Sequence, residues 1–315
     1  MSFDSGEGHR PEEIRAVPLR HPGRWVATAA LLVLAAMFVH SVLTNPRYGW
    51  GVIRSNLFSP PIVSGAENTI KITLIAMVIG VLLGVILAVM RLSPNPVLSG
   101  AGWLYIWFFR GTPVYVQLVF WYAISALFPT VSLGIPFGPE FVHLSANALV
   151  TPLVAALLGL GLNEGAYYAE IVRAGILSVD HGQFEAAQSL GMRRVTLMRK
   201  IVLPQAMRVI VPPTGNELNN MLKTTSLLVV VTYPELMYQT TNAAARTYEL
   251  IPFYINACIW YLFMTTLLTI GQFYVERYYA RGTTYALPLT PIQRLRRNLT
   301  TLRRIPFSAS NLGGS

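Results

Sequence analysis

Six apolar runs, each near the length that crosses a lipid bilayer, constrain this chain more than any other feature. An α-helix rises 1.5 Å per residue, so about 20 apolar residues span the ~30 Å hydrocarbon core. The sequence therefore predicts an all-α membrane protein with six transmembrane helices. The predicted spans are residues 25–43, 69–90, 113–128, 148–168, 214–232 and 253–275.

The composition excludes several other classes of protein. The chain is 53% hydrophobic and only 12% charged, against about 25% charged residues in a typical soluble domain. A single cysteine, Cys258, cannot build a disulfide framework or a cysteine zinc site. The five histidines are scattered, and no metal-binding or hydrolase motif accompanies them. We therefore expect no catalytic residues, no bound metal and no cofactor in this chain.

The first apolar run has two interpretations. It resembles the apolar part of a signal peptide, but a polar arm of residues 1–24 precedes it and no small-residue cleavage site follows it. We therefore predict that residues 25–43 form an additional N-terminal transmembrane helix.

The distribution of positive charge predicts the orientation. With a cytosolic N-terminus, 19 of the 24 lysines and arginines fall in cytosolic segments, and this bias is the one that orients membrane proteins. Both termini are therefore expected in the cytosol, together with the insert at residues 181–206. The basic tail, residues 281–315, is interpreted as an anchor on the anionic lipid surface. Nucleic-acid binding is disfavoured because no aromatic residues interleave the arginines.

The cytosolic insert has the pattern of a short capped helix. Asp180 is placed to cap its N-terminus, with Gln183 three residues later, and Glu185 lies near the positive end of the helix dipole. Gly191 is placed to end the helix in a left-handed conformation. A second helical stretch follows, and Pro204 is expected to close it before the fifth span.

The same insert resembles the signature of permease subunits of binding-protein-dependent ABC importers. The matching residues are Glu185-Ala186-Ala187, then Gly191, then Ile201, Leu203 and Pro204, at the family spacing. In that family this segment is the coupling helix that the ATPase subunit grips. The resemblance therefore implies a coupling helix at about residues 181–191. Its expected contact residues are Gln183, Glu185, Ala186, Ala187, Leu190 and Gly191.

Three flanking segments resemble the branch that takes up polar amino acids. They are residues 109–113, residues 165–173 and residues 223–227. The resemblance covers residues 65–280 and implies a type I ABC importer transmembrane domain there. The first span, the arm and the basic tail depart from the smaller members of the family.

The resemblance also implies partners. Two permease subunits, identical or related, form the pathway in the plasma (inner) membrane of a prokaryote, and an extracytoplasmic solute-binding protein delivers the substrate. Each permease engages an ATP-binding subunit that carries ATP and magnesium. Consistent with this division, the sequence contains no Gly-Lys dipeptide and thus no P-loop. We therefore expect a transport subunit that is not an enzyme.

Polar residues inside the fourth and fifth spans are candidates for the substrate path, because such residues usually face a cavity or a partner. On the fourth span they are Asn163, Glu164 and Tyr167, and on the fifth span they are Glu217, Asn220, Lys223 and Thr224. Carboxylates and a lysine would suit the amino and carboxylate groups of an amino acid. Alternatively, Glu164 or Glu217 pairs with Lys223 to steady a subunit contact.

Two further features carry structural expectations. Gly80 and Gly84 on the second span are spaced to allow close contact with another helix. Arg110 is interpreted as an anchor or a hinge at the cytosolic end of the third span.

Two other functions remain as alternatives. An ion-coupled secondary transporter or channel would also span the membrane, but the sequence shows no internal repeat. A scaffold or receptor is disfavoured by the charged faces of the fourth and fifth spans.

Overall fold

The structure, a computed structural model, describes residues 22–135 and 138–279. Most of the predicted polar arm and the whole predicted basic tail, residues 281–315, lie outside the described residues. The chain divides into two compact units, with the boundary between Trp50 and Gly51.

The first unit contains one long helix, α1, at Pro22–Thr44, followed by a 3-10 turn at Pro46–Tyr48. Asn45 caps that turn by accepting a hydrogen bond from the backbone N–H of Arg47 at 3.0 Å. The Trp50 indole N–H donates to the carbonyl of Val42 at 2.9 Å. The side chains of α1 are mostly apolar, and nearly all of them are exposed on every side of the helix, which is the pattern of a helix whose surroundings are lipid.

The second unit is mostly helical. Its helices are α2 (Trp50–Asn56), α3 (Pro60–Arg91), α4 (Pro96–Gly111), α5 (Val114–Tyr122), α6 (Ile124–Leu127), α7 (Ala146–Leu149), α8 (Pro152–Leu177), α9 (His181–Ser189), α10 (Arg194–Leu197), α11 (Leu203–Thr224), α12 (Leu236–Thr247) and α13 (Leu250–Tyr279). A π-helical segment, Met198–Val202, joins α10 to α11, and a 3-10 segment, Thr225–Val231, follows α11.

Three of the described helices are long and apolar enough to cross a membrane. They are α1, α3 and α13, and they contain the first, second and sixth predicted spans. The fourth predicted span lies largely within α8, which continues to Leu177. Asn163, Glu164 and the charges beyond them lower the hydropathy of that helix. The third, fourth and fifth spans stay predictions.

The third predicted span differs from a single helix. Residues 113–128 form two short helices, α5 and α6, with Ala123 between them, and α4 precedes them. The break between α4 and α5 has a local cause: Thr112 is extended (φ −111°, ψ 143°) before Pro113. Proline disfavours a helical conformation in the residue before it and has no N–H for the helix ladder.

The fifth predicted span also has different bounds. The helix begins at Leu203 rather than at residue 214, and it tightens into the 3-10 segment at Thr225. Pro204 does not close the preceding helical stretch, as the sequence predicted. It lies in the first turn of α11, directly after the π-helical segment, where a missing N–H is tolerated.

A small β-hairpin adds to the predicted all-α fold. Strands β1 (Thr130–Gly134) and β2 (Glu140–Ser145) pair antiparallel, from Thr130 opposite Ser145 to a bulge at Leu133/Gly134. The hairpin connects α6 to α7. It lies between the third and fourth predicted spans, where hydropathy over a span-length window does not detect short strands.

Close packing of α3 on α8 forms the centre of the second unit. The Cα of Gly80 lies against the Glu164 side chain and Gly84 against Tyr168, so the two helices run parallel. From α8, Gly161 and Gly165 in turn face Ile79 and Leu83. The predicted close contact through Gly80 and Gly84 is confirmed, since a side chain at either position would overlap α8.

Replacing Gly84 with alanine should therefore destabilise the chain. A Cβ at this position would lie 2.7 Å from Tyr168 Cβ and 2.9 Å from the backbone nitrogen of Ala169, which cannot move aside as a flexible side chain would. We expect a loss of about 1–3 kcal/mol, the usual cost of overpacking, measured as a lower unfolding midpoint in detergent. Gly100→Ala is the control, since nothing lies within 4 Å of a Cβ there. Equal midpoints for the two variants would contradict the packing argument.

Candidate functional site

Helix α9 is capped at both ends by the residues that the sequence singles out. The Asp180 carboxylate accepts a hydrogen bond from the backbone N–H of Gly182 at 2.7 Å, rather than from that of Gln183. Gly191 has a positive φ of 69°. Its N–H donates to the carbonyl of Gln188 at 2.9 Å, while the Met192 N–H donates to that of Ala187 at 3.1 Å. The predicted Asp180 cap and the left-handed cap at Gly191 are thus confirmed.

One side of α9 packs on the rest of the second unit. Ala187 is only 2% exposed and belongs to an apolar cluster with Leu197 and Val202, and half-buried Phe184 packs against the same cluster. Ala187 was expected to contact a partner, but the structure places it on the inner side of the helix. Its small side chain lets α9 lie close to the segment that leads into α11.

The other side of α9 is open. Exposed positions on and just after the helix are Gln183, Glu185, Ala186, Leu190 and Gly191. Leu190 is 81% exposed, and Val195 on the neighbouring α10 is 78% exposed. Largely exposed aliphatic side chains beside a polar helix are candidates for a surface that another protein covers.

A polar cavity of about 530 Å³ lies between α8, α11 and the junction of α4 with α5. Six of the seven predicted path residues line it: Asn163, Glu164, Tyr167, Glu217, Asn220 and Thr224. The junction contributes residues 110–114 to the wall, and Leu160 and Met221 contribute apolar surface. The fold thus brings together polar groups from two predicted spans.

Asn163 supports the junction between α4 and α5. Its Nδ2 donates to the carbonyl of Phe109 at 2.9 Å and to Gln117 Oε1 at 3.3 Å. Gln117 Nε2 in turn donates to the Phe109 carbonyl at 3.0 Å and to the carbonyl and hydroxyl of Thr112 at 3.1 and 2.8 Å. A helix break frees backbone carbonyls that need donors. Asn163 therefore positions the cavity wall as well as lining it.

Arg110 lies elsewhere than the sequence predicted. It is at the end of α4, where it lines the cavity together with Glu164 and Glu217. The centre of its guanidinium lies 5.1 Å from the ring centroid of Tyr167, a cation–π distance. The expectation of an anchor at a span end assumed that the third span starts at Pro113, whereas α4 carries the helix back to Pro96. The missed signal was the Gly-Thr-Pro sequence after Arg110, which marks the break between α4 and α5.

Glu164 is the buried acidic group of the cavity. Its side chain is 5% exposed, and no hydrogen-bond partner among the described residues reaches its Oε1. The absence of a side chain at Gly80 makes the room for it. A buried polar atom without a partner is costly, which makes this oxygen a candidate acceptor for a ligand.

Lys223 does not share the cavity with these residues. It lies in a second cavity of about 600 Å³ between α11 and α13, whose other polar walls include Asn216, Asn219, Gln272 and Glu276. None of the ion pairs between described residues involves Lys223. The alternative in which Lys223 pairs with Glu164 or Glu217 is therefore not realised within the described part of this chain.

The amide of Asn163 gives a test of the junction that is separate from transport. Asn163→Leu keeps the side-chain volume but leaves the Phe109 carbonyl with one donor fewer. We expect the free energy of unfolding to fall by about 1–3 kcal/mol, measured as the unfolding midpoint in detergent. Asn147→Leu, at an exposed position on α7, is the control. A midpoint as high for Asn163→Leu as for Asn147→Leu would exclude the supporting role.

Taken together, three helices apolar enough to cross a membrane, a polar cavity and a capped helix with one open side are typical of a membrane transport subunit. Comparison with known proteins specifies it further. The family model for the binding-protein-dependent transport system inner membrane component matches residues 80–281. This chain belongs to that family, whose members are transport permeases and not enzymes.

Individual relatives agree with this assignment. The arginine transport system permease protein ArgU of Corynebacterium glutamicum is 49% identical over 280 residues, covering 88% of this chain and 87% of that protein. The L-cystine transport system permease protein TcyB of Bacillus subtilis is 32% identical, covering 72% and 90%. The putative glutamine transport system permease protein GlnP of Rickettsia bellii is 33% identical, covering 68% and 93%.

Solved structures share the fold. A crystal structure of an amino acid ABC transporter with histidines superposes with a TM-score of 0.59 at 35% identity, covering 70% of this chain and 95% of that chain. The MetNI methionine ABC transporter in an inward-facing conformation superposes with a TM-score of 0.56, and at 16% identity it supports the fold alone. The family assignment confirms the predicted permease and disfavours the ion-coupled transporter or channel.

Proposed function

We propose that this chain is the transmembrane subunit of an ATP-driven amino-acid importer in the plasma membrane of a prokaryote. It forms the substrate path and couples it to a separate subunit that binds ATP and magnesium. The observation that carries this proposal is α9, a helix fixed on its inner side by Ala187 and open on its outer side, with the family signature on it. In this proposal the chain crosses the membrane six times with both termini in the cytosol, so that α9 lies on the cytosolic face.

The charges of the first cavity suit an amino acid. Glu164 and Glu217 offer acceptors for an ammonium group, and Arg110 offers a donor pair for a carboxylate. Relatives are named for arginine, glutamine and cystine transport, and each of these amino acids carries both an ammonium and a carboxylate group. A solute-binding protein outside the membrane delivers the substrate to this cavity.

An apolar cluster links α9 to the cavity. It runs from Ala187 through Leu197 and Val202 to Ile210 on α11, and it includes Tyr168 and Val172 on α8. Both helices carry cavity residues further along. Movement of α9 by the ATPase subunit would thus shift α8 and α11, converting the nucleotide cycle into opening and closing of the cavity. The π-helical segment at Met198–Val202 lies on this route, and π-segments often mark functional sites.

The second cavity supports pairing of two permease subunits. Its wall is polar, with Lys223 and Glu276 among its residues, and such groups are unfavourable against lipid. A second permease subunit, identical or related, covers this side of α11 and α13 in the assembly. The Lys223 ammonium then pairs with an acceptor group of that second subunit.

Glu164→Gln should reduce transport without affecting assembly. The amide is nearly isosteric but lacks the charge that would hold a substrate ammonium. We expect roughly tenfold lower uptake of labelled amino acid, the effect of losing about 1.4 kcal/mol of interaction. Membrane insertion and retention of the ATPase subunit should be normal.

Glu67→Gln is the matched control, since that carboxylate is exposed on α3 and pairs with Lys71. Uptake by Glu164→Gln at the level of Glu67→Gln would remove Glu164 from the substrate path.

Leu190→Asp tests the coupling surface. The Leu190 side chain is 81% exposed in the described part of the chain, so the fold should be unaffected, whereas a carboxylate buried against a partner is costly. We expect association with the ATPase subunit to weaken by about 2 kcal/mol, the scale of an interface hot spot, seen as loss of that subunit during purification. Phe141→Asp, at an exposed apolar position on β2, is the control. Full retention of the ATPase subunit by Leu190→Asp would contradict the proposed docking surface.

A further inference from the structure

A third cavity, of about 460 Å³, lies on the other side of the Arg110–Tyr167 pair, between the ends of α3 and α8 and the face of α4. Three arginines line it, Arg91, Arg110 and Arg173, with Glu170 as the one carboxylate. Neither the family assignment nor the coupling surface gives this cavity a role.

The positive charge of this cavity is not balanced by its own residues. Arg173 is engaged by Glu170, with its Nη2 2.6 Å and its Nε 3.1 Å from Oε2. The Arg110 guanidinium lies over Tyr167. Arg91 has no carboxylate partner among the described ion pairs. Neither Arg91 nor Arg110 forms an ion pair with a described carboxylate, and three arginines face one carboxylate in this cavity, which favours the binding of an anion.

Arg91 is the best placed of the three to hold that anion. Its Nη1 reaches only the carbonyl and hydroxyl of Ser99, at 3.5 and 3.4 Å. Its Nε is buried and has no acceptor among the described residues. The aliphatic part of the side chain lies across Gly102, whose added Cβ would be 3.3 Å from Arg91 Cδ. The guanidinium therefore packs in the cavity wall, and its two long contacts to Ser99 leave donor capacity for an anion.

The position of the cavity points to the membrane surface. Arg91 is the last residue of α3, which has the highest hydropathy of the candidate spans. Arg173 lies four residues before the end of α8, and the two helices run parallel. Both arginines therefore lie at the end of the bundle that carries α9. In the proposed orientation this end is the cytosolic leaflet.

Two tryptophans complete the cavity on its open side. The rings of Trp103 and Trp107 stack with centroids 6.2 Å apart and an interplanar angle of 16°. They are 53% and 60% exposed, and Leu104 and Phe108 beside them on α4 are exposed as well. Tryptophan is enriched where helices cross the lipid headgroup level, and the apolar side chains of α4 offer a surface for acyl chains.

We propose that this cavity binds the phosphate group of an anionic phospholipid of the cytosolic leaflet, with Arg91 as its principal ligand. Basic pockets between transmembrane helices on the cytosolic side bind anionic headgroups in this way. Free inorganic phosphate offers the same oxyanion chemistry, but it lacks the acyl chains that would contact the tryptophan pair and the apolar face of α4. The inference rests on the proposed orientation and not on the identity of the transported substrate.

The test measures the lipid that the full-length chain retains. The chain is purified from bilayers containing equal amounts of phosphatidylglycerol and phosphatidylcholine, and bound lipid is counted by native mass spectrometry. We expect wild type to retain phosphatidylglycerol preferentially. In Arg91→Gln the ratio of retained phosphatidylglycerol to retained phosphatidylcholine should fall about fivefold, the effect of one arginine near an anionic surface. Arg246→Gln, an exposed arginine on α12, should retain it like wild type.

Two further comparisons distinguish a bound phospholipid from free inorganic phosphate and control for misfolding. Trp103→Leu combined with Trp107→Leu should lower the retained phosphatidylglycerol, and excess inorganic phosphate should leave it unchanged in wild type. Arg91→Lys keeps the charge and should retain more phosphatidylglycerol than Arg91→Gln at an equal unfolding midpoint. Equal retention by wild type and Arg91→Gln, or an equal loss in Arg246→Gln, would overturn the proposal. Full displacement by inorganic phosphate would assign the site to a free anion instead.

Discussion

The close contact between α3 and α8 is the constraint on which the rest of the second unit depends. Glycines on both helices, Gly80 and Gly84 on one and Gly161 and Gly165 on the other, remove the side chains that would hold them apart. Without an aqueous driving force, such close backbone packing is what holds membrane helices together. It also sets the rotation of α8, so that Asn163, Glu164 and Tyr167 face the junction of α4 with α5. The cavity is therefore a consequence of the packing.

The same packing connects the two ends of the site. At the far end of α8, Gly175 lies against Ile210 of α11, and the apolar cluster continues from there to Ala187. Buried helices in contact tend to move as units, because packed interiors resist continuous deformation. The placement of Ala187 on the inner side of α9 explains why this position needs a small residue. The exposed neighbours of Ala187 remain free to meet another protein.

Local chemistry made α9 and its caps predictable from the sequence. Asp180 and Gly191 act through their own backbone neighbourhood, so their positions suffice to predict the cap at each end. The apolar runs of α1, α3 and α13 were predictable for a similar reason, since length and hydropathy alone identify them. Six of the seven proposed path residues followed from one rule, that polar residues inside a span need a cavity or a partner.

Other features depend on contacts that no hydropathy window contains. The break at Thr112–Pro113 is set by local sterics, and Asn163 and Gln117 donate hydrogen bonds to the Phe109 carbonyl beside it. A hydropathy window does not detect this break because α4 and α5, on its two sides, are both apolar. Arg110 therefore looked like the end of a span although α4 places it in the cavity wall. Lys223 is separated from Glu217 because α11 presents two polar faces to different neighbours, with Asn220 bordering both cavities. Helical periodicity alone cannot decide which neighbour each face meets.

Photo-crosslinking from position 190 in native membranes tests the central claim most directly. A photoreactive residue in place of Leu190 lies at the end of α9, where the side chain is exposed. The account predicts a covalent product with an ATP-hydrolysing subunit, stronger than the product obtained from position 141 on the hairpin. Crosslinks from position 190 only to lipid or to extracytoplasmic protein, in membranes that contain the assembled transporter, would contradict it.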